Sequence, residues 1–421
     1  MHAAASDLRE PGVPETVAAI IADVRQRGDA AVRDYSARFD RWEPESFRLA
    51  PEEIERLVAE VDERTLDDIR FAQAQVRGFA EAQRASLSDL EVETLPGVFL
   101  GHRHLPIADV GSYVPGGRYP MVASAHMSVV TAKVAGVPRV ASCTPPFEGR
   151  ATAATVAAMH LAGADEIYVL GGVQALAALA LGTETIARVS MLVGPGNAFV
   201  AEAKRQLFGE TGIDLLAGPT EILVVADESA DPALVAADLI GQAEHGPTTP
   251  AVLITTSADL GERVRGEVER QLAADLSTSE TAAIAWSEHG EIRVVESAEQ
   301  AVAAADELAY EHVEILTSDP RWYLERMSNY GAMFLGEGTT VAYGDKTIGT
   351  NHVLPTAGAA RYTGGLWVGK FLKTVTHQEV RDPASAARIG EVCARQCRVE
   401  GFEAHARSCD LRVAKLGAAS T

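Results

Sequence analysis

The sequence predicts an α/β protein with two parallel-sheet units and a helical segment at each end. Three observations lead there. Short apolar strands alternate with helices from about residue 97 onward. The alternation restarts after a Gly-Pro break in "LLAGPTE", residues 215–221. Residues 15–90, and the chain from 384 onward, carry helical periodicity instead. Strands that alternate with helices call for a parallel sheet covered on both faces.

The elements follow in order. "VAAIIADVRQRGDAAVRDYSARF" repeats apolar residues at intervals of three and four, with charges between. "APEEIERLVAEVDERTLDDIRFAQAQV" does the same, with Pro51 where a first helical turn tolerates proline. "ADVGSYVPGG" is a strand then a turn, and "SVVTAKVAGVPRVASCTPP" a helix, a glycine break and a buried strand. "ATVAAMHLAGADEIYVLGGVQALAALALG" repeats the cycle around strand "EIYVL", and "VSMLVGPGNAFVAEAKRQLFG" gives strand, glycine-rich turn and helix. The second series runs through strand "EILVVAD", helix "PALVAADLIGQAEH", strands "PAVLITT" and "EIRVVE", helix "SAEQAVAAADELA" and strand "VEILTSD".

The chain has 421 residues, 47% of them hydrophobic, enough for a sizeable core in two or three domains. A formal net charge of −22 repels phosphate backbones and anionic headgroups, so neither nucleic acid nor a membrane is expected as partner. "MHAAASDLREPGVPE" lacks a basic stretch followed by an apolar one, and no run of about 18 apolar residues occurs. Four cysteines in so long a chain do not make a disulfide framework, and a cytoplasmic location is expected. Cys393 and Cys397 lie four apart in "EVCARQC"; plain helix positions are favoured over a metal pair, because no second pair follows at zinc-finger spacing.

"GQAEHGP", residues 241–247, closes a long apolar helix pattern. Gln242 and His245, three apart, project from one face of its last turn. Unpaired carbonyls and the negative end of the helix dipole favour a cation there. Gly246 and Pro247 end the helix. Helix-terminal histidines are common without metal, so spacing alone leaves the matter open. The glycine-rich "YGDKTIGTNHVLPT" holds Asp345 and His352, and "EGFEAHA" holds Glu400 and His405. Together these would make an oxygen- and nitrogen-rich site, suited to a catalytic divalent metal such as zinc. Spacing does not bring the stretches together.

"YEHVEILT" sets Glu311 and His312 just before a strand. Such a neighbour pair suits two proton transfers of different pKa, although two solvated polar residues would look the same. The dinucleotide fingerprint G-x-G-x-x-G is absent. "VLGGVQ" and "VGPGNAFV" are the nearest glycine-rich strand-to-helix turns, able to aim backbone N–H groups at an anion or simply to turn the chain.

Taken together, "IDLLAGPTEILVVADESADPALVAADLIGQAEHGP", "GPGNAFVAEAKRQLFG", "EHVEIL", "GTNHVLPT" and "EGFEAHA" resemble, in order and over nearly the full length, the histidinol dehydrogenase family. The resemblance implies two incomplete Rossmann-like domains, 111–221 binding NAD and 222–383 carrying metal and catalytic residues. It implies an N-terminal helical segment, 1–110, packed on the second domain, and a C-terminal tail, 384–421, exchanged across a homodimer. It implies a zinc- and NAD-dependent enzyme oxidising a primary alcohol through an aldehyde to a carboxylate. Gln242, His245, Asp345 and His405 match the zinc ligands; Glu311 and His312 match the proton-transfer pair. His352 and Glu400 match substrate contacts, and Thr220 fills a substrate-contacting serine position. The metal ligands and His312 also border the substrate, as is expected of His126. Tyr113, Gln174 and Asn197 match cofactor contacts.

Several segments depart from the biosynthetic pattern. "PGGRYPMVASAHMSVVTAKVAG" carries Arg118, Tyr119, His126 and Ser128; Lys346 follows Asp345; "RYTGGLWVGKFLKTVTHQ" brings Trp367 and Lys370. Arg118, His126, Lys346 and Lys370 would add positive potential and point to a small anionic alcohol such as 2,3-dihydroxypropane-1-sulfonate, the substrate type of the sulfopropanediol dehydrogenase-like paralogues. Glu400 points the other way, to the amine-bearing L-histidinol. A zinc hydrolase or an inactive sensor built on the same residues stands as a remote alternative.

Overall fold

A computed structural model of the chain describes residues 12–116, 120–216, 218–274 and 277–419, the last three by backbone alone. Arg118 and Tyr119 therefore lie outside the described residues. The chain forms a larger unit, residues 12–84 and 107–371, and a smaller one, residues 85–106 and 372–419.

The strands in chain order are β1 (Leu90–Leu95), β2 (Val98–Pro106), β3 (Asp109–Tyr113), β4 (Arg139–Thr144), β5 (Glu166–Val169), β6 (Met191–Val193), β7 (Gly212–Ile213), β8 (Ile222–Ala226), β9 (Ala251–Thr255), β10 (Gly290–Val294), β11 (His312–Leu316), β12 (Ala332–Leu335) and β13 (Leu372–Val380). The larger unit holds two five-stranded parallel sheets, ordered β5-β4-β3-β6-β7 and β10-β9-β8-β11-β12. The order is the same in both. The chain starts in the middle strand, steps outward twice, then crosses to the other side. That is the Rossmann-like order without its sixth strand.

The central strands read as unbroken apolar runs because both faces are covered. "ILVVA" of β8 and "AVLIT" of β9 are buried throughout. In β11, "HVEIL", the same burial extends to two ionisable residues, His312 and Glu314. Helix Pro232–Ala243, which carries Gln242 but stops two residues short of His245, starts where the Asp231 side chain accepts the Ala233 N–H, with proline in the first turn.

Three features differ from the sequence expectation. The N-terminal helices pack largely on the first sheet's helices rather than on the second sheet alone, which the long helix Glu63–Ala85 also reaches: Gln83 accepts the Val368 N–H, and Phe79 lines a cavity with Phe334. Helix Val13–Arg27 lies against Gly172–Leu181 and Ala198–Leu207, and Pro51–Ala59 against Ala153–Ala162. The cause is a match of apolar faces: Val17, Ile20 and Val24 join one core with Leu176 and Leu179, and Leu57 and Ile69 join another with Met159. Residues 90–106, expected in the helical segment, form an antiparallel hairpin turned at Gly97, where φ is 68°. Residues 372–380, expected in the second Rossmann-like domain, instead pair antiparallel with β2 in the smaller unit. Helices Pro383–Val399 and Glu403–Ala419 complete that unit. No helix of the described residues is long and apolar enough to cross a membrane.

Candidate active site

Rossmann-like sheets bind ligands at the carboxyl ends of their strands, where the order reverses. The first sheet presents such an edge between β3 and β6. Tyr113 ends β3 and is buried; its hydroxyl accepts the Gly172 N–H at 3.3 Å. After β6, Gly194 turns at φ 115°, and a β-carbon there would lie 2.1 Å from the Tyr113 carbonyl oxygen. Asn197 caps helix Ala198–Leu207, accepting the Val200 N–H at 3.1 Å, and is exposed. Gln174 is only 1% exposed, and its amide donates to Asp40 at 3.1 Å. Beneath the turn, the buried Lys204 ammonium pairs with Asp214 and donates to the Gly194 carbonyl at 2.9 Å, while Asp214 accepts the Gly194 N–H at 2.8 Å.

The second sheet is different. Where β8 and β11 end, Asp227 bridges them, accepting from the Ser318 N–H and hydroxyl at 2.9 and 2.8 Å. The sheet's polar cluster gathers at the opposite edge, where β8 and β11 begin. Glu311 and His312 are 4% and 3% exposed. The Gln242 amide donates to the Thr220 hydroxyl, which donates to Glu311 Oε1. The same Glu311 oxygen accepts the Glu221 N–H at 3.0 Å. This chain fixes the amide of Gln242: its NH₂ is turned to Thr220, and its carbonyl oxygen is left as acceptor.

His312 is fixed as firmly. Its Nδ1 lies 3.1 Å from the Glu221 carbonyl oxygen, which can only accept, so Nδ1 carries hydrogen. Its Nε2 is buried without a hydrogen-bond partner, 3.7 Å from Asp345 Oδ1. Burial alone would lower the pKa of this imidazole, but Glu311 and Asp345 beside it outweigh burial and lift it to about 10. Burial would raise Asp345, yet His312, His352 and Lys346 hold it down to about 2.

His352 donates from Nδ1 to the Asp345 carbonyl oxygen at 2.9 Å, so Nε2 accepts from the Ser124 hydroxyl at 3.2 Å. His126 is 2% exposed, and burial, with His352 nearby, pushes its pKa down to about 4. The Gln73 amide donates both to the Ala158 carbonyl oxygen at 2.9 Å and to His126 Nδ1 at 3.1 Å. His126 is therefore neutral with hydrogen on Nε2. This corrects the expectation that it adds positive charge: it offers a hydrogen-bond donor. Lys346 is half-exposed, 3.9 Å from Asp345 Oδ2, and Lys370 donates to the Thr363 hydroxyl at 3.0 Å.

The structure brings Thr220, Gln242, Glu311, His312 and Asp345 into one cluster, with His245, His352 and His126 around it. His245 is reached by solvent; crowding around its ring lowers its pKa, and Asp345 opposes that more than any other charge. Glu400 caps the carboxyl end of helix Pro383–Val399, and His405 stands 5.6 Å from the Phe402 ring; both are exposed in the smaller unit. One member went unforeseen. Glu221 is 3% exposed, has an unpartnered Oε1, and is pushed up to about 8 by burial, with Glu311 beside it. Its only sequence signal is its place directly before an apolar strand.

As a metal site the larger unit offers an amide oxygen, an imidazole and a carboxylate. Among the described residues, no three His, Cys, Asp or Glu side chains gather as a metal centre; here only His245 and Asp345 are of that kind. The donor chemistry nevertheless fits a divalent ion. A neutral imidazole keeps its lone pair, Asp345 is ionised, and the Gln242 oxygen is turned free.

A model of the histidinol dehydrogenase family matches residues 4–413. The chain belongs to the histidinol dehydrogenase family. As a member it is an oxidoreductase. A histidinol dehydrogenase homolog of Shouchella clausii is 61% identical, over 96% of this chain and 95% of that protein. The sulfopropanediol 3-dehydrogenase of Ruegeria pomeroyi is 49% identical, over 96% and 93%. The histidinol dehydrogenase of Gluconobacter oxydans is 44% identical, over 96% and 94%. The crystal structure of histidinol dehydrogenase from Elizabethkingia anophelis superposes with a TM-score of 0.92 at 31% identity, covering 97% of this chain and 94% of that one.

Proposed function

We propose that this family member oxidises a small anionic primary alcohol, such as 2,3-dihydroxypropane-1-sulfonate, through a bound aldehyde to the carboxylate. It would use zinc and NAD, as a homodimer whose tails complete each other's sites. The observation that carries the chemistry is the hydrogen-bond chain from Gln242 through Thr220 to Glu311, beside a His312 whose unpartnered Nε2 faces Asp345. Gln242, His245 and Asp345, with His405 from a second copy, would hold the metal. When bound, zinc supplies positive charge that orients the reacting oxygen, and NAD at the first sheet's edge supplies the hydride acceptor for each of two oxidations.

The protein's own groups then divide the proton work. His312 takes the hydroxyl proton at Nε2 as the alcohol carbon loses hydride. Asp345 raises the basicity of that nitrogen in the free chain; once committed to a cation it does so less, which brings His312 toward the neutral form a base needs. Glu311 takes a proton from the water that adds to the aldehyde, and Thr220 and the Glu221 N–H aim its carboxylate.

For the substrate, the relatives above 50% identity are named homologs of histidinol dehydrogenase, and a sulfopropanediol dehydrogenase stands at 49% against 44% for the Gluconobacter enzyme. His126, held as a neutral donor, suits an anionic oxygen without needing charge. L-Histidinol is the second reading, favoured by Glu400. The deciding experiment is NADH formation by the zinc-loaded protein with a panel of alcohols. Turnover of the dihydroxypropanesulfonate supports the proposal. Turnover of histidinol alone replaces the substrate, and no NADH from any alcohol overturns the reading.

A further inference from the structure

Behind the cluster lies a second pair of carboxyl groups that the proposed chemistry does not use. Glu314 is fully buried on β11, two residues after His312 and so on the same face of the strand. Its Oε1 accepts the Val341 N–H at 2.8 Å. Its Oε2 is buried and has no N–H or O–H donor. Beside it stands the carboxyl group of Asp238, because two consecutive residues, Thr340 and Val341, bond to the two carboxyl groups. Asp238 is half-buried and accepts the Thr340 hydroxyl at 2.8 Å. Two carboxylates in contact repel, and one proton between them turns the contact into a strong hydrogen bond. Burial favours a protonated Glu314, whose pKa is raised well above the usual carboxylate range.

The placement of the pair gives it a purpose. Asp238 lies one helical turn before Gln242 on helix Pro232–Ala243. Thr340 and Val341 open helix Val341–Lys346, one turn before Asp345. Glu314 shares its strand face with His312. The two carboxyl groups thus join the three elements that carry the amide, the imidazole and the carboxylate of the cluster.

We propose that Glu314 is a positioning residue: it shares one proton with Asp238 and so holds Gln242, His312 and Asp345 in register. The inference rests on the reading of those three residues as the metal and acid–base site. Outer partners that fix ligand direction typically carry 10–100-fold in metal affinity.

The test uses the full-length chain and two readouts. The first is backbone hydrogen exchange in the metal-free protein, compared between segments 340–346 and 222–226. The second is zinc affinity by chelator competition. Glu314→Gln keeps an acceptor for Val341 and a donor for Asp238, so both readouts stay within about threefold of wild type. Glu314→Leu removes both; exchange in 340–346 accelerates at least roughly tenfold while 222–226 stays protected, and zinc binds about 10–100-fold more weakly. If Glu314→Leu does not fold, the half-buried partner decides: Asp238→Asn, which still donates, should behave as wild type, and Asp238→Ala as the broken pair. The proposal is overturned if the broken pair leaves 340–346 protected, or if the amide variants are as damaged as the apolar ones. A wild-type chain that binds no zinc sinks the metal reading alone, because the exchange arm needs no metal.

Discussion

Glu311 Oε1 lies 3.3 Å from His312 Nδ1, and that same oxygen also takes the Thr220 hydroxyl and the Glu221 N–H. One carboxylate oxygen is therefore anchored by three neighbours, while the imidazole Nε2 stays without a partner on the far side of the ring. The proposed function gives these two sequence neighbours different tasks.

That division makes Glu311→Gln selective. The amide still accepts from Thr220 and Glu221 but takes no proton from water. Oxidation of the aldehyde is expected to fall about 10²–10⁴-fold, the usual worth of a positioned general base. Alcohol oxidation to the aldehyde should fall less. Single-turnover NADH formation from each substrate separates the two, and equal losses would remove Glu311 from the water step.

Thr220 is the middle of the chain, so its hydroxyl matters more than its methyl group. Thr220→Ser should keep kcat within a few-fold of wild type. Thr220→Val breaks hydrogen bonds to both Gln242 and Glu311, and a bond to a charged group is worth about 1.5–3 kcal/mol. A loss of kcat of roughly 10–100-fold is expected from steady-state rates. A Val variant as active as the Ser variant would show that the relay is idle.

Gln73 dictates the tautomer of His126 from a helix far away in sequence. In Gln73→Leu the His126 proton can sit on either nitrogen, and the donor presented to the substrate is weakened. KM for an anionic alcohol should rise about tenfold, on the scale of one hydrogen bond, with kcat little changed. His126→Phe should act in the same direction and more strongly. Unchanged KM in both variants would separate His126 from the substrate.

Beneath the first sheet's switch point, Lys204 and Asp214 are 3% and 0% exposed in their side chains. Lys204→Met strands the aspartate in the core and removes the donor to the Gly194 carbonyl. Breaking one side of a buried pair costs about 3–5 kcal/mol, readable in urea unfolding. At temperatures where the variant is still folded, its affinity for NAD should also drop, because the Gly194 turn loses its support. Stability within 1 kcal/mol of wild type, as an order-of-magnitude threshold, would contradict the role.

Much of this was legible in the residues. The strands "EILVVAD", "PAVLITT" and "VEILTSD" lie where their apolar runs put them, because strands covered on both faces write burial directly into composition. The helix that carries Gln242 and the Glu311–His312 corner are local features, although the helix stops at Ala243 and leaves His245 in the turn beyond it. The hairpin at 90–106 was hidden because apolar residues such as Leu90, Val92, Leu95 and Leu100 are exposed in it, so its strands lack the contrast that marks a buried strand. Glu221 and Glu314 were hidden for the opposite reason: a carboxylate beside an apolar run looks like a solvated end until its neighbours are known.

The sequence by itself determined the family, the two α/β series and the residue types available for proton transfer and metal binding. Only the tertiary structure decided that the polar cluster of the second sheet lies at the amino ends of its strands, that helix Val13–Arg27 packs on the first sheet's helices, and which nitrogens of His126, His312 and His352 carry hydrogen. Composition and periodicity report how a segment meets its own neighbours along the chain. The direction of a hydrogen bond, or the neighbourhood of two carboxyl groups, depends on groups many tens of residues apart that meet only when the chain is folded.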